Sequence, residues 1–244
     1  ERGFGDGSGA LFEGTITDFY IDFVEKFEKK NDQAKFGPLR KIADILAMDE
    51  VDIEELDKLI NSESFVRFWA TESLLGFWDG YTGNHNNFFV YFNPEGGKFH
   101  FVPWGADALF DKFSELEYDE KAPISVKTKG MIAHKLYQSE AGRERYAKTL
   151  KDLLQEQWNE EALLAETDRI EALLKPHLAP IQANHARQLE EVREFIRGRR
   201  ADLVAEISDG MPIWTKVPEP PPVIPSSFAE GWNSDSIWNS AKTG

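Results

Sequence analysis

Apolar residues recur at helical spacing in several stretches of the N-terminal third of the chain. Between residues 16 and 27 they fall at i, i+3, i+4, i+7, i+8 and i+11, which predicts a helix after a glycine-rich loop at 1–14. Pro38 suits the first turn of a second helix. Asp52, followed three residues later by a glutamate, predicts the start of a third. A longer, aromatic-rich helix is predicted over residues 62–77.

The pattern changes after this fourth helix. Residues 78–87 (WDGYTGNHNN) have no helical period and are rich in Gly and Asn, which predicts a loop. Residues 88–92 and 98–102 are β-prone, and the NPEGG sequence between them is typical of a turn, so together they predict a β-hairpin. Residues 130–208 return to helical periods and predict three or four helices.

These elements predict a mainly α protein with a short β-hairpin, an α+β fold. The composition shifts after Gly210, since residues 211–244 hold six of the twelve prolines and three of the seven tryptophans. We therefore expect one folded domain over 1–210 and a Pro- and Trp-rich tail or linker over 211–244.

Composition narrows the possible functions. The chain has 244 residues and a formal net charge of −15, which argues against nucleic acid or an anionic membrane as the main partner. The absence of cysteine excludes disulfides, zinc–thiolate sites and thiol catalysis. No apolar run approaches the roughly 18 residues of a membrane helix, so no membrane span is expected. The chain begins at Glu1 without a signal peptide, and we expect it to be part of something longer.

The order of polar residues around the hairpin indicates a chemistry. Asp79 and Asn84 lie five residues apart in the loop, and Asp107 follows the second strand. Phosphoryl transfer by kinases uses these parts in this order: an Asp that accepts the substrate's hydroxyl proton, an Asn that binds magnesium, and a second Asp that binds magnesium. The spacing alone is weak evidence, because Asp79 and Asn84 are also ordinary turn formers.

The run from residue 74 to 107 closely resembles the spore-coat protein H (CotH) kinase family. The shared motifs are a Trp-Asp-Gly-Tyr loop, an Asn-Asn pair entering an aromatic strand, a Pro-Glu-Gly turn, and a Phe-x-Phe-x-Pro-Trp strand followed by an acidic residue. Looser matches at 4–14 and 188–200 extend the resemblance to about residues 4–205.

The resemblance implies the C-terminal, large-lobe part of an atypical protein-kinase-like fold. It implies a CotH-type serine/threonine kinase that uses ATP and Mg²⁺ to phosphorylate coat or surface proteins. Asp79 would be the catalytic base, and Asn84 and Asp107 the magnesium ligands. Asn84, Asn86 and Asn87 would shape the loop and contact the metal or phosphate. The resemblance also implies an extracellular, cell-surface or spore-surface location.

Two departures from the family pattern affect these expectations. Many members read Pro-Trp-Asp-x-Asp where this chain has Trp104-Gly105-Ala106-Asp107, so the metal role falls on Asp107 alone. The small lobe, with the lysine that pairs the nucleotide phosphates, is missing from the sequence, and we expect it upstream of Glu1. We therefore expect this fragment alone to have little or no activity. The protein substrate and the oligomeric state are not predicted.

Two alternatives stay open from the sequence. One is a catalytically inactive kinase-fold binding module in a spore-coat or cell-surface assembly, which the glycine at 105 favours. The other is a calcium-binding acidic module, which would need oxygen ligands beyond Asp79, Asn84 and Asp107. His85 is predicted to be a solvated loop residue, because the histidines show no metal-site pattern.

Overall fold

Eight helices and a four-stranded antiparallel sheet make up the described part of the chain. The computed structural model describes residues 7–113, 119, 121–177 and 184–223. In chain order the elements are β1 (Leu11–Gly14), β2 (Glu28–Lys29), α1 (Phe36–Leu46), α2 (Ile53–Leu59), α3 (Ser62–Leu75), α4 (Tyr81–Asn84), β3 (Phe88–Asn93), β4 (Lys98–Pro103), α5 (Met131–Gln138), α6 (Glu140–Glu156), α7 (Glu160–Leu174) and α8 (His185–Glu206), with short 3₁₀ turns at Val24–Lys26 and Lys175–His177. The predicted α+β class is confirmed. Within the described residues, every helix is too short or too polar to cross a membrane.

The predicted hairpin is confirmed and forms half of the sheet. β3 and β4 pair antiparallel from Phe88 opposite Pro103 to Asn93 opposite Lys98. The sheet order is β2-β1-β3-β4, so β1 covers the other edge of β3. The sequence did not predict β1 and β2, because β1 lies in the segment expected to be a loop. The hairpin is therefore braced on both sides rather than isolated, since β4 also packs on α3.

The helix predicted over residues 16–27 is wrong. The segment forms turns and one 3₁₀ helix at Val24–Lys26, although most of its apolar residues are buried. Ile16 has a φ of 47°, in the left-handed region, which a right-handed helix cannot include. The Thr17 hydroxyl and the Asp18 carboxylate bond to nearby main-chain groups, an alternative to helical hydrogen bonds. In this segment the spacing of the apolar residues reflects which side chains are buried and does not indicate a helix.

The other predicted helices are confirmed, with defined ends. Pro38 lies in the first turn of α1. The Asp52 side chain caps α2 by accepting a hydrogen bond from the Glu55 amide at 3.1 Å. Asn61, just before the predicted start, caps α3. Residues 130–208 contain the four helices α5 to α8.

Aromatic rings fill the space between α3 and the hairpin. Phe65 of α3 meets Phe101 of β4 with ring centroids 4.9 Å apart, and Tyr81 meets Phe88 at 4.6 Å. Trp69 joins α3 to α6 through Tyr146 at 4.1 Å. Because Tyr81 is fully buried in this cluster, the polar loop that contains it is anchored in the core.

Arg199 connects α8 to the end of α3. The side chain is fully buried, and its guanidinium donates to the main-chain carbonyls of Ser73, Leu74 and Ile124. The Ser73 and Leu74 carbonyls lie at the C-terminal end of α3, where helix carbonyls lack the usual amide partner four residues on, and Ser73 also accepts from the Gly76 amide at 3.1 Å. The arginine therefore fixes the helix end that leads into the loop at 78–87.

The boundary predicted near residue 210 remains a prediction. α8 ends at Glu206, and residues 212–223 continue without helix or strand against the body of the protein. The rest of the predicted tail, 224–244, lies outside the described residues, as do residues 1–6 of the predicted N-terminal loop.

Replacing Arg199 by Met should lower the free energy of unfolding by about 2–4 kcal/mol, because the buried carbonyls of Leu74 and Ile124 lose their donor and the Ser73 carbonyl keeps only the Gly76 amide. Urea denaturation followed by circular dichroism measures this change. Arg197→Met is the matched control, since Arg197 is half exposed and, among the described residues, its guanidinium bonds Glu190 alone, at 2.7 Å. The control should cost less than about 0.5 kcal/mol. Equal losses in the two variants would contradict the role given to Arg199.

Candidate active site

The candidate site lies in the loop between α3 and β3. α3 ends at Gly76, whose φ of 61° allows the chain to reverse direction. The loop then forms the single turn of α4 and enters β3 at Phe88. Asp79 precedes α4, and Asn84 is its last residue. A helix end and a paired strand therefore fix both ends of the loop.

Three asparagine side chains surround the Asp79 carboxylate. Asn84 Nδ2 donates to Oδ1 at 2.7 Å, and Asn87 Nδ2 donates to Oδ2 at 2.8 Å and to the Asp79 main-chain oxygen at 3.1 Å. Asn86 Nδ2 lies 3.2 Å from both carboxylate oxygens. Asp79 is partly exposed, so it can also contact a ligand. The arrangement presents one oriented acceptor held by neutral donors.

The same asparagines offer oxygen atoms for a metal. Asn86 Oδ1 is buried and has no hydrogen-bond partner among the described residues. Carboxylate and amide oxygens are the ligands that Mg²⁺ prefers, so Asp79, Asn84 and Asn86 fit a hard divalent cation by chemistry. Within the described ranges, His, Asp and Glu side chains form no group of three or more that could hold a metal.

Asp107 is not bonded to the asparagine cluster. Its side chain is exposed and makes no hydrogen bond or ion pair within the described part of the chain. Gly105, two residues earlier, is closer: a Cβ added there would lie 2.9 Å from Asn87 Oδ1. The Trp104 amide also donates to the Asn87 carbonyl at 3.1 Å. The strand exit therefore contacts the asparagine cluster through its backbone, and the Asp107 carboxylate points into solvent.

Glu72 of α3 holds the start of α4 in place through hydrogen bonds to its carboxylate. Its carboxylate is 2% exposed and accepts three hydrogen bonds, from the Tyr81 amide at 3.0 Å, the Thr82 amide at 2.8 Å and the Thr82 hydroxyl at 2.6 Å. Burial raises the pKa of Glu72 to about 7, partly offset by the Thr82 bonds and by Lys127. The sequence pattern did not predict a role for Glu72 in the site.

Asp18 is a second buried carboxylate under the loop. It accepts a hydrogen bond from the Tyr81 hydroxyl at 2.8 Å and another at 2.7 Å from the amide of Met131. Met131 is the first residue of α5. His85 Nε2 lies 3.4 Å from Asp18 and 2.8 Å from the Lys129 carbonyl. Burial raises the pKa of Asp18, and the attraction of His85 opposes that shift. The prediction of a solvated His85 is wrong, because the residue is 4% exposed.

An aromatic surface adjoins the asparagine cluster. Trp104 is 39% exposed and stacks on Phe89 with ring centroids 5.7 Å apart. Its amide bonds the Asn87 carbonyl, as described above, so the main chain of Trp104 adjoins the asparagine cluster. An exposed aromatic face next to polar groups can stack on a planar ring of a ligand.

The structure thus brings together four of the five predicted site residues. Asp79, Asn84, Asn86 and Asn87 form one hydrogen-bonded group, and Asp107 stays outside it. Whether these residues act on a substrate remains a prediction. A search of curated proteins finds no match to the chain. A family model, described as CotH kinase protein, matches residues 21–203, about three quarters of the chain.

The raised pKa of Glu72 predicts a pH-dependent stability. The folded state keeps the Glu72 proton up to about pH 7, whereas the unfolded chain releases it near the ordinary value of 4.5. Unfolding therefore releases a proton between these values, and the free energy of unfolding should fall by up to about 3 kcal/mol as pH rises through them.

Urea denaturation between pH 4.5 and 8 measures this dependence. Glu72→Gln should make the dependence shallower, leaving the fall of the same sign that the raised pKa of Asp18 contributes. Glu63→Gln is the matched control, because Glu63 is an exposed residue of the same helix, and it should keep the wild-type dependence. A Glu72→Gln variant with the full wild-type slope would show that Glu72 is not the titrating group.

Proposed function

Since the chain belongs to the CotH kinase family, we propose that it transfers the γ-phosphate of ATP to Ser or Thr side chains of a protein substrate. The family membership supports a kinase-like function in general. The observation that carries the finer proposal is the Asp79 carboxylate held by Asn84, Asn86 and Asn87. Kinase catalysis needs an oriented carboxylate beside an amide that can bind magnesium.

Asp79 would act on the attacking hydroxyl. Its carboxylate would accept a hydrogen bond from the hydroxyl and take its proton as the oxygen attacks the γ-phosphorus, while the bond from the γ-phosphorus to the bridging oxygen breaks and ADP leaves with that electron pair. The asparagine amides keep both carboxylate oxygens in place, so the base needs no reorganisation when substrate arrives. General-base catalysis of this type contributes about 10²–10⁴-fold to the rate.

Mg²⁺ would be held by the oxygen donors around Asp79. Asn84 and the unpartnered Asn86 Oδ1 are the candidate amide ligands, and Asp107 is the candidate second carboxylate. When bound, the ion would neutralise charge on the nucleotide phosphates. The exposed face of Trp104 would stack on the adenine ring beside this group.

A catalytically inactive binding module is the second candidate. Two observations favour it: the exposed Asp107 lacks contacts within the described residues, and Gly105 replaces a possible carboxylate. Such a module would keep the asparagine cluster and bind Mg–ATP without transfer. A surface or spore-coat location remains a prediction from the family resemblance for both candidates.

Phosphate transfer by the full-length protein tests the proposal. With radiolabelled ATP and Mg²⁺, Asp79→Asn should lower transfer to a Ser/Thr protein substrate at least about 10²-fold, because the base is lost while the shape is kept. Asp107→Asn should raise the magnesium concentration needed for half-maximal activity. Asp209→Asn is the matched control, an exposed aspartate after α8 that should behave as wild type.

The outcomes separate the candidates. Wild-type activity in Asp79→Asn would remove Asp79 from the reaction. A wild-type protein that binds Mg–ATP by calorimetry but transfers no phosphate to any substrate would support the inactive binding module.

A further inference from the structure

Residues 212–222 follow the last helix as a segment without helix or strand, which we call the C-terminal strap. In its second half, residues 217–222 (VPEPPP), every residue is a proline or directly precedes one. A proline fixes its own φ at about −65°, and its ring excludes the helical region for the residue before it. The covalent chemistry therefore confines this half of the strap to a polyproline II conformation.

Burial along the strap agrees with that conformation. Pro218 and Pro221, three residues apart, are buried, whereas Glu219, Pro220 and Pro222 are exposed. A polyproline II helix has three residues per turn, so residues three apart lie on the same face. One face of the strap is thus turned to the body of the protein, and the rest is turned to solvent.

Side chains of the body bond the strap through its main-chain carbonyls. The Tyr137 hydroxyl donates to the Pro212 carbonyl at 2.6 Å, Gln138 Nε2 to the Trp214 carbonyl at 3.1 Å, and the Tyr20 hydroxyl to the Pro218 carbonyl at 3.0 Å. Proline has no amide hydrogen, so carbonyls are the main-chain groups that a proline-rich segment offers to a binding surface.

An apolar groove of about 220 Å³ borders the proline-rich half of the strap. Its lining includes three aromatic side chains, Phe19, Tyr20 and Phe23, together with Pro220 of the strap. Tyr20 therefore offers both an aromatic surface and a hydrogen-bond donor to the strap. Proline-rich segments dock on aromatic-lined grooves of this kind, because the polyproline II helix is already formed and loses little entropy on binding.

The strap also forms part of a cleft beside the loop at 78–87. The cleft has a volume of about 420 Å³, and its lining includes Trp78 and Asn84 from the loop, and Trp214 and Val217 from the strap. Because Asn84 donates to the Asp79 carboxylate, the cleft adjoins the proposed base. The position of the strap therefore sets how wide the cleft is.

We propose that the face of the body around Tyr20 is a recognition site for a polyproline II segment, that the strap is its ligand within the same chain, and that the docked strap restricts the entry of a protein substrate to the cleft beside Asp79. The strap is suited to release, because it contains no helix or strand and its Val217 is 69% exposed. Only the restriction of entry rests on the proposed kinase function; the docking of the strap does not.

A labelled peptide of residues 211–223 tests the recognition site in the full-length protein. In Pro218→Ala/Pro221→Ala the strap is a poor ligand and leaves its site open. Fluorescence anisotropy should therefore show the peptide binding this variant at least about tenfold more tightly than wild type, where the strap competes. Pro220→Ala/Pro222→Ala is the matched control, since it removes two exposed prolines of the same segment, and it should bind as wild type. Equal affinity of all three proteins for the peptide would overturn the recognition site.

A tyrosine substitution assigns the peptide to the face around Tyr20. Added to Pro218→Ala/Pro221→Ala, Tyr20→Phe should weaken peptide binding by about fivefold, because the hydrogen bond to the Pro218 carbonyl is lost. Tyr91→Phe in the same background is the control, since its hydroxyl bonds the Gly9 amide at 3.0 Å, and it should leave peptide binding unchanged. The same affinity in both tyrosine variants would remove Tyr20 from the site.

A transfer assay with ATP and Mg²⁺ on the wild type and the two proline variants tests the restriction. With casein and with histone as protein substrates, Pro218→Ala/Pro221→Ala should raise the rate of transfer at least about threefold, and Pro220→Ala/Pro222→Ala should leave it unchanged. Unchanged or slower transfer in Pro218→Ala/Pro221→Ala would refute the restriction and keep the recognition site. No transfer by any of the three proteins would refute the kinase function and the restriction together, while peptide binding alone decides the recognition site.

Discussion

The buried carboxylate of Glu72 is the constraint on which the loop at 78–87 depends. A carboxylate away from water is costly unless it is hydrogen-bonded, and all three of its bonds come from the first two residues of α4. If α4 moved, the carboxylate and these donors would be left in the core without their hydrogen-bond partners. Asp79 lies just before that single turn and Asn84 ends it, so one buried interaction helps to fix the position of both.

Contacts from separate parts of the chain hold the loop at 78–87 in place. Asp18 connects the loop to the start of α5, and Arg199 holds the helix end from which the loop leaves. The polar atoms of Asp79 and its three asparagines are thereby held by contacts from several parts of the chain. Such preorganisation is what a carboxylate base requires, and it would serve a binding module equally well.

Local rules predicted much of the fold. The Asp52 cap, the hairpin and the helical periods after residue 130 have short-range causes, and each is confirmed. The prediction of a helix over residues 16–27 was wrong because tertiary contacts override the apolar periodicity of that segment. Glu72 and Arg199 were missed as anchors, since their partners are main-chain groups distant in the fold. A signal existed for Glu72, which falls on the apolar face of its helix, seven residues after Phe65.

The central claim is that Asp79 and its asparagines form the site at which Mg–ATP binds. Nuclear magnetic resonance of the isotope-labelled full-length protein tests it most directly, through the side-chain amide signals of Asn84, Asn86 and Asn87 during a Mg–ATP titration. The account predicts that the three signals shift together with one apparent affinity, and that ATP without a divalent cation shifts them less. Binding of Mg–ATP that leaves all three signals unchanged would contradict it.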